Sequence, residues 1–272
     1  MMNSNWLYET LLLLHSLSLI GYIIYFISSN WKVKRFAFWL FVLVWVMQTM
    51  SIIYEFIATK TFPFMSLYEG VYFYAWILLT FTLLINRMYQ VHLIVLLTNV
   101  FTFFMMALSI LLNAKQQSIG RGSQLIHELL MAHITFSILS YAFFTMSFLL
   151  ATMYLIQYYL LKNKKGLKSM WRFTNLAKLD AYSYYAVVIG LPLLSIGLIL
   201  GVVWAYVSGE DFYWFDLKTI GSILLLIIYT LYLILRHDTK FHGKSVSIYS
   251  SATFLMLLVN FFLFSTLSNF HF

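Results

Sequence analysis

The sequence predicts an all-α integral membrane protein: a bundle of eight transmembrane helices with both termini extracytoplasmic. Three observations predict it. Only 10% of the 272 residues are charged and 62% are hydrophobic, whereas soluble domains carry roughly 25% charged residues. The mean hydropathy is +0.85, which leaves no room for a separate soluble domain of ordinary size. Apolar residues also gather into eight runs, near 7–28, 36–57, 67–85, 91–112, 125–161, 181–206, 217–236 and 246–268. A helix needs roughly 20 such residues to cross a hydrocarbon core of about 30 Å. The loops are short and no internal repeat is visible, so a single transmembrane domain, 1–272, is expected.

The first run lacks a basic leader and a small-residue cleavage site and carries Glu9 at its start, so it is expected to stay as a span. Glu55 and Glu69 stand near the outer ends of the second and third runs. Acids inside a membrane are functional suspects, although interfacial ones often just reach water. The fifth run holds no Gly or Pro from Leu125 to Leu161. As one helix it is about 55 Å long at 1.5 Å per residue, so it must tilt or project. Tyr158 and Tyr159 suit its inner interface. Counting back about 20 residues puts its outer boundary near Leu139–Ser140 and leaves His133 outside the core. The sixth run carries Gly190, Pro192, Gly197 and Gly201. Gly197 and Gly201 are a small-xxx-small pair that lets helices approach closely, and Pro192 is expected to kink the helix. Asp180, before this run, reads as a helix N-terminal acid.

Orientation follows from Lys and Arg. With both termini outside, the inner loops hold thirteen of the seventeen basic residues, and only Lys60, Lys115, Arg121 and Lys218 lie outside. Asn163–Lys178 is the longest inner loop. The net charge of +8 therefore reports membrane orientation, not a phosphate-binding patch, and no nucleic acid is expected as a partner. Cysteine is absent, which excludes disulfides, thiolate ligation and thiol redox chemistry.

The same orientation places Trp204 to Lys218, WAYVSGEDFYWFDLK, outside. An amphipathic loop so rich in rings suits a flat apolar ligand with a polar edge, and haem is such a ligand. By itself such a loop is most often an interface belt. Among seven histidines, a neutral imidazole is a good iron ligand. His133 opens the fifth span and His271 follows the eighth, on the surface that carries the aromatic loop. His127 lies six residues before His133, about 240° round an ideal helix, so the two do not share one iron. His237 and His242 sit among Arg236, Lys240 and Lys244 and read as a solvated inner loop. His15 and His92 lie in or beside apolar runs. No zinc motif, nucleotide-binding glycine loop or catalytic triad is visible.

Several segments resemble the cytochrome c assembly family with its tryptophan-rich loop. LDAYSYYAVVIGLPLLSIGLILGVVWA (179–205) resembles the span that leads into that loop, and FPFMSLYEG (62–70) an early outer motif. HITFSILSYAFFT (133–145) and LSNFHF (267–272) resemble the segments with its two external histidines. Trp204, Ala205, Tyr213, Trp214, Asp216 and Lys218 keep the family's loop pattern. Phe215 stands in for a Trp, Leu217 for a Pro and Thr219 for a Glu. Members that assemble cytochromes carry a membrane histidine after the loop; Ile234 stands there.

The resemblance implies a bis-histidine haem on His133 and His271. Trp204, Tyr213 and Trp214 would lie against the macrocycle, with Lys218 or Arg121 at the propionates and Asp216 also among the cofactor-binding residues. The combination closely resembles short members from Gram-positive bacteria, which lower the abundance of glutamyl-tRNA reductase and so restrain haem synthesis. The expectation is a non-enzymatic, multi-pass protein of the bacterial cytoplasmic membrane. It would bind haem outside and act on the reductase directly or through a protease. The alternatives are a haem-handling subunit of c-type cytochrome assembly and a small-molecule transporter without haem.

Overall fold

Only two prolines occur in the chain. In lipid, a backbone polar group has no water to pair with, so an apolar chain closes its hydrogen bonds within helices. The computed structural model describes residues 4–59, 67–88, 92–113, 124–163, 175–208, 216–237 and 241–264. The helices among them are α1 (Ser4–Ser28), α2 (Trp31–Thr59), α3 (Leu67–Met88), α4 (His92–Asn113), α5 (Gln124–Lys162), α6 (Leu176–Ser208), α7 (Leu217–His237) and α8 (Lys244–Leu258). A π-helical turn, Val259–Phe264, continues α8. The eight apolar runs thus return as eight helices. Among the described residues, seven are long and apolar enough to cross a membrane, while α4 offers a shorter apolar stretch, Ile94–Ile110. The chain forms two compact units, Met1–Gly120 and Arg121–Phe272.

In the first unit α1 packs on α2 and α4, and α3 packs on the same two helices. α1 buries Tyr8, Leu11, His15, Ser18, Tyr22 and Tyr25, a spacing of three and four that puts them on one face. The turn into α2 is two residues long. Ser29 is left-handed at φ 59° and donates its N–H to Tyr25 O at 2.8 Å. Asn30 Oδ1 then accepts the Lys32 N–H at 3.0 Å, capping α2. A Cβ on Gly21 would lie 2.8 Å from Ala37 Cβ, so α1 and α2 run in near backbone contact. Towards the far end of this hairpin, Tyr8 OH donates to Glu55 Oε1 at 3.0 Å.

In the second unit α5 packs along α6 and α8, and α7 packs on α6 and α8. α5 is one helix of 39 residues, about 58 Å long, as its lack of Gly and Pro predicts. α6 continues through Pro192 as one helix of 33 residues. Its glycines set the α5–α6 register. A Cβ on Gly190 would lie 2.8 Å from Phe144 Cε1, one on Gly197 2.7 Å from Ser137 Oγ, and one on Gly201 2.7 Å from His133 Nδ1. Every step forward along α5 is matched by an equal step back along α6, so the pair is antiparallel in a single register. Ser183 Oγ of α6 meets Ser147 Oγ at 2.9 Å, and Ser147 Oγ meets Ser250 Oγ of α8 at 3.1 Å.

Charge collects at one end of this unit. Arg236 donates to both carboxylate oxygens of Asp180, at 2.7 and 2.5 Å, and its guanidinium lies 5.5 Å from the Tyr184 ring centroid. Asp180 is therefore an interhelix partner of α7 and not the N-terminal acid expected, since α6 begins at Leu176 and has no acid in its first turn. Lys244 Nζ stands 5.9 and 5.5 Å from the ring centroids of Tyr158 and Tyr159. These residues are the ones the charge bias assigns to the inner face.

Candidate functional site

Where α6 nears its end, small residues make a notch that α5 fills with an imidazole. His133 Nδ1 lies 2.6 Å from Gly197 O. A carbonyl oxygen only accepts, so Nδ1 carries the proton and, in the neutral ring, Nε2 carries the lone pair. A metal-binding histidine takes this form when its other ring N–H is fixed by a carbonyl. The opening for the ring comes from Gly201, since a Cβ there would sit 2.7 Å from both Nδ1 and Cε1. His133 is therefore half-buried in the α5–α6 seam, a helix contact that its depth along α5 did not foretell.

Trp204 follows Gly201 by three residues and so lies on the same side of α6; it too is half-buried. α7 supplies the third wall. Asp216 begins it: the side-chain Oδ2 accepts the Lys218 N–H at 3.0 Å, and its carbonyl accepts the Ile220 N–H at 2.9 Å. Asp216 is thus the N-cap of α7, a more specific role than the ligand contact expected of it. Lys218, half-buried in the first turn, is near enough to His133 and to Asp216 to act on each electrostatically. The lysine thus stands near both the imidazole and the Asp216 carboxylate.

The structure therefore brings His133, Trp204, Asp216 and Lys218 to one end of one unit. Arg121, Tyr213, Trp214 and His271 lie outside the described residues, as do the side chains of His127 and His92. His237 and His242 are exposed, in keeping with a solvated loop. Ile234, at the place of the assembly members' membrane histidine, lies on an exposed face of α7. His15 is fully buried in the first unit, with Nε2 2.6 Å from Asn99 Oδ1. Among the described residues no group of three or more metal-binding side chains occurs.

Two features were not foreseen. One is Gly197 as the partner of His133. The Gly197–Gly201 pair was visible as a close-packing signal, but nothing in the sequence said which helix it receives. The other is a polar knot on the same side of the unit. Asn260, 1% exposed, donates from Nδ2 to Tyr141 OH at 3.4 Å and to Ser222 Oγ at 3.3 Å. It ties the π-helical turn to α5 and α7. A lone Asn in an apolar run was its only signal.

The family model described as cytochrome C assembly protein matches residues 64–271. The chain is 43% identical to the protein HemX of Bacillus subtilis (strain 168) over 263 residues, covering 97% of this chain and 95% of that one. It is 34% identical to the protein HemX of Brevibacillus brevis over 267 residues, covering 98% and 97%. The cytochrome c biogenesis protein CcsA of Chlamydomonas reinhardtii is 32% identical over 72% of this chain and 56% of its own length. No solved structure matches. The matched span takes in α3 to α8 with the histidine notch, and the chain is a multi-pass helical membrane protein that belongs to the cytochrome c assembly protein family.

Proposed function

We propose that this protein binds haem at the outer face of the bacterial cytoplasmic membrane and restrains haem synthesis by lowering glutamyl-tRNA reductase, without being an enzyme. It would span the membrane eight times, with α4 as the shortest crossing and both termini outside. The observation that carries the haem part is the His133–Gly197 hydrogen bond of 2.6 Å. It leaves Nε2 as the ring nitrogen with the lone pair, so His133 would supply one ligand to a haem iron. His271 would supply the other. Trp204, Tyr213 and Trp214 would cover the apolar faces, and Lys218 or Arg121 would pair with propionates. When bound, haem would supply an iron whose occupancy reports its availability. The protein's own residues hold the imidazole in one tautomer, exclude water from one side of it and place a cation nearby.

The regulatory part is supported by the 43% identity to the Bacillus subtilis relative and by Ile234 in place of the membrane histidine. The rival, a haem-handling subunit of c-type cytochrome assembly, is favoured by the likeness to CcsA.

Two measurements test both parts. The purified chain reconstituted with haem should show a low-spin Soret band that His133→Ala or His271→Ala shifts or abolishes, while His237→Ala and His242→Ala leave it unchanged. A band that survives the double His133→Ala, His271→Ala change rules these residues out, and no band at all favours a transporter. Deletion should raise glutamyl-tRNA reductase and leave c-type cytochromes intact. Missing cytochromes with unchanged reductase would support the assembly role instead.

A further inference from the structure

In the first unit, α2 opens with Lys32, Lys34 and Arg35. At 100° per residue, Trp31, Lys32, Arg35, Phe36 and Trp39 fall within an arc of about 140° on this helix, and all five are exposed. Lys34 stands at the edge of that arc, towards α1. Its Nζ lies 4.6 Å from the Trp31 ring centroid and 5.4 Å from that of Tyr25, and Tyr25 is buried on α1. Two rings thus hold the ammonium at the turn end of the α1–α2 hairpin. The acids of the unit are all elsewhere. Residues 1–120 contain three, Glu9, Glu55 and Glu69. Glu9 and Glu55 lie about 30 Å or more along their helices from the turn, and Tyr8 OH joins Glu55 at the far end. Glu69 is at that far end too, because α2 and α3 are antiparallel: Trp45 Nε1 donates to Thr80 Oγ1 at 2.9 Å and Trp76 Nε1 to Thr49 Oγ1 at 2.8 Å. The three cations therefore have no counter-charge within their own unit.

Depth along α2 sorts these side chains. The cations occupy its first turns, and Phe36 and Trp39 follow one to two turns deeper on the same exposed face. A phospholipid has the same order, with a charged phosphate above apolar chains. We propose that the start of α2 is a binding site for an anionic phospholipid, with Lys32, Lys34 and Arg35 at the headgroup phosphate and Phe36 and Trp39 along the acyl chains. A zwitterionic headgroup would bring its own ammonium among three cations, whereas an anionic one supplies the missing counter-charge. A water-soluble anion would leave the deeper rings without a part. The positive-inside bias accounts for the presence of lysine and arginine at this turn. It does not account for a lysine fixed between two rings, or for rings aligned below the other two cations. The site lies in a different unit from the histidine notch and is independent of the haem proposal.

The purified full-length chain in detergent, titrated with phosphatidylglycerol or with phosphatidylcholine and read by native mass spectrometry, provides the test. In a micelle both ends of the chain are accessible, so a change of membrane orientation in a variant does not affect the reading. Phosphatidylglycerol should bind the more tightly. The variant with Lys32→Gln, Lys34→Gln and Arg35→Gln should lose that preference, at about fivefold in affinity for each charge removed. Changing Lys162, Lys164 and Lys165 to Gln removes as many charges from the loop after α5 and should leave the preference intact. Trp31→Ala keeps every charge but takes one ring from Lys34, and should weaken phosphatidylglycerol binding about two- to fivefold. Equal binding of the two lipids by the unchanged chain overturns the proposal. An equal loss in both triple variants overturns it as well, since the attraction would then belong to net charge and not to a site. Should the Lys32, Lys34, Arg35 variant not fold, Trp31→Ala decides: weakened binding supports the site, and unchanged binding refutes it.

Discussion

His133 and Gly201 share one space: the imidazole lies where a side chain on residue 201 would begin, 2.7 Å from the position of its Cβ. The helix register that brings them together continues through Ser137–Gly197 and Phe144–Gly190, so it belongs to the whole α5–α6 pair. A candidate ligand is thus positioned by the longest contact in its unit, on rigid helices, where sites are held more accurately than on loops.

Gly201→Ala should therefore displace His133 more than it destabilises the bundle. One added methyl in a packed seam typically costs about 1–3 kcal/mol. The Soret band of the haem-loaded protein should lose its low-spin form, while thermal unfolding in detergent shifts moderately. Gly197→Ala meets Ser137 Oγ instead, at 2.7 Å, so Ser137→Ala should partly restore it and should do nothing for Gly201→Ala. Equal rescue of both would show that the seam, and not the imidazole, is what residue 201 accommodates.

Asp216 separates a structural role from a ligand role. As the N-cap of α7 its replacement by Ala should lower stability by about 1 kcal/mol, and Asn, an equally good cap, should recover it. Haem absorbance should be the same in both variants. A loss of absorbance in Asp216→Asn, with stability intact, would assign the carboxylate to the ligand after all.

Fold class was legible in the sequence because bilayer thickness converts apolar run length directly into helices: the eight runs lie within the eight helices apart from a few residues at the ends. The long α5 was legible for the same reason, since nothing between Leu125 and Leu161 can stop a helix. The packing of His133 against α6 was not legible. Counting rise per residue gives depth along an axis, but it does not give rotation, and rotation turns the ring into Gly197. Pairings across helices stayed hidden for the same reason. Asp180 with Arg236, His15 with Asn99 and Asn260 with Tyr141 are separated by 56, 84 and 119 positions, and no periodicity in one helix encodes its partner. Arg121, Tyr213, Trp214 and His271 lie beyond the described residues, so that half of the expected site rests on the sequence.

Asp180 and Arg236 should behave as a coupled pair. Their side chains are 15% and 13% exposed. Asp180→Asn leaves the guanidinium without its charge partner, which costs about 3 kcal/mol or more when the site is well buried. Removing both charges with Asp180→Asn and Arg236→Met should cost less than the single change, because no lone charge is left behind. Unfolding temperatures of the two single variants and the double one, measured in one detergent, check the order. An additive double variant would show that the two groups stabilise the unit separately.

The remaining prediction concerns orientation, on which the outer placement of the histidine notch depends. Lys and Arg favour the cytoplasmic side of short loops, and the thirteen-to-four division of the seventeen basic residues predicts both termini outside. The structure adds that Arg236, Lys244 and the end of α5 gather at one end of the second unit, with His133 and Lys218 at the other. If one end is fixed, the other follows from the length of α5. The chain has no cysteine, so a single Lys165→Cys change gives a unique label at the loop between α5 and α6. In intact cells an impermeant maleimide should leave it unmodified and should modify it once the membrane is opened. A Lys115→Cys variant, on the opposite side by the same rule, should react in intact cells. If position 165 reacts from outside while 115 is shielded, the orientation is inverted, and His133 with Lys218 would then face the cytoplasm.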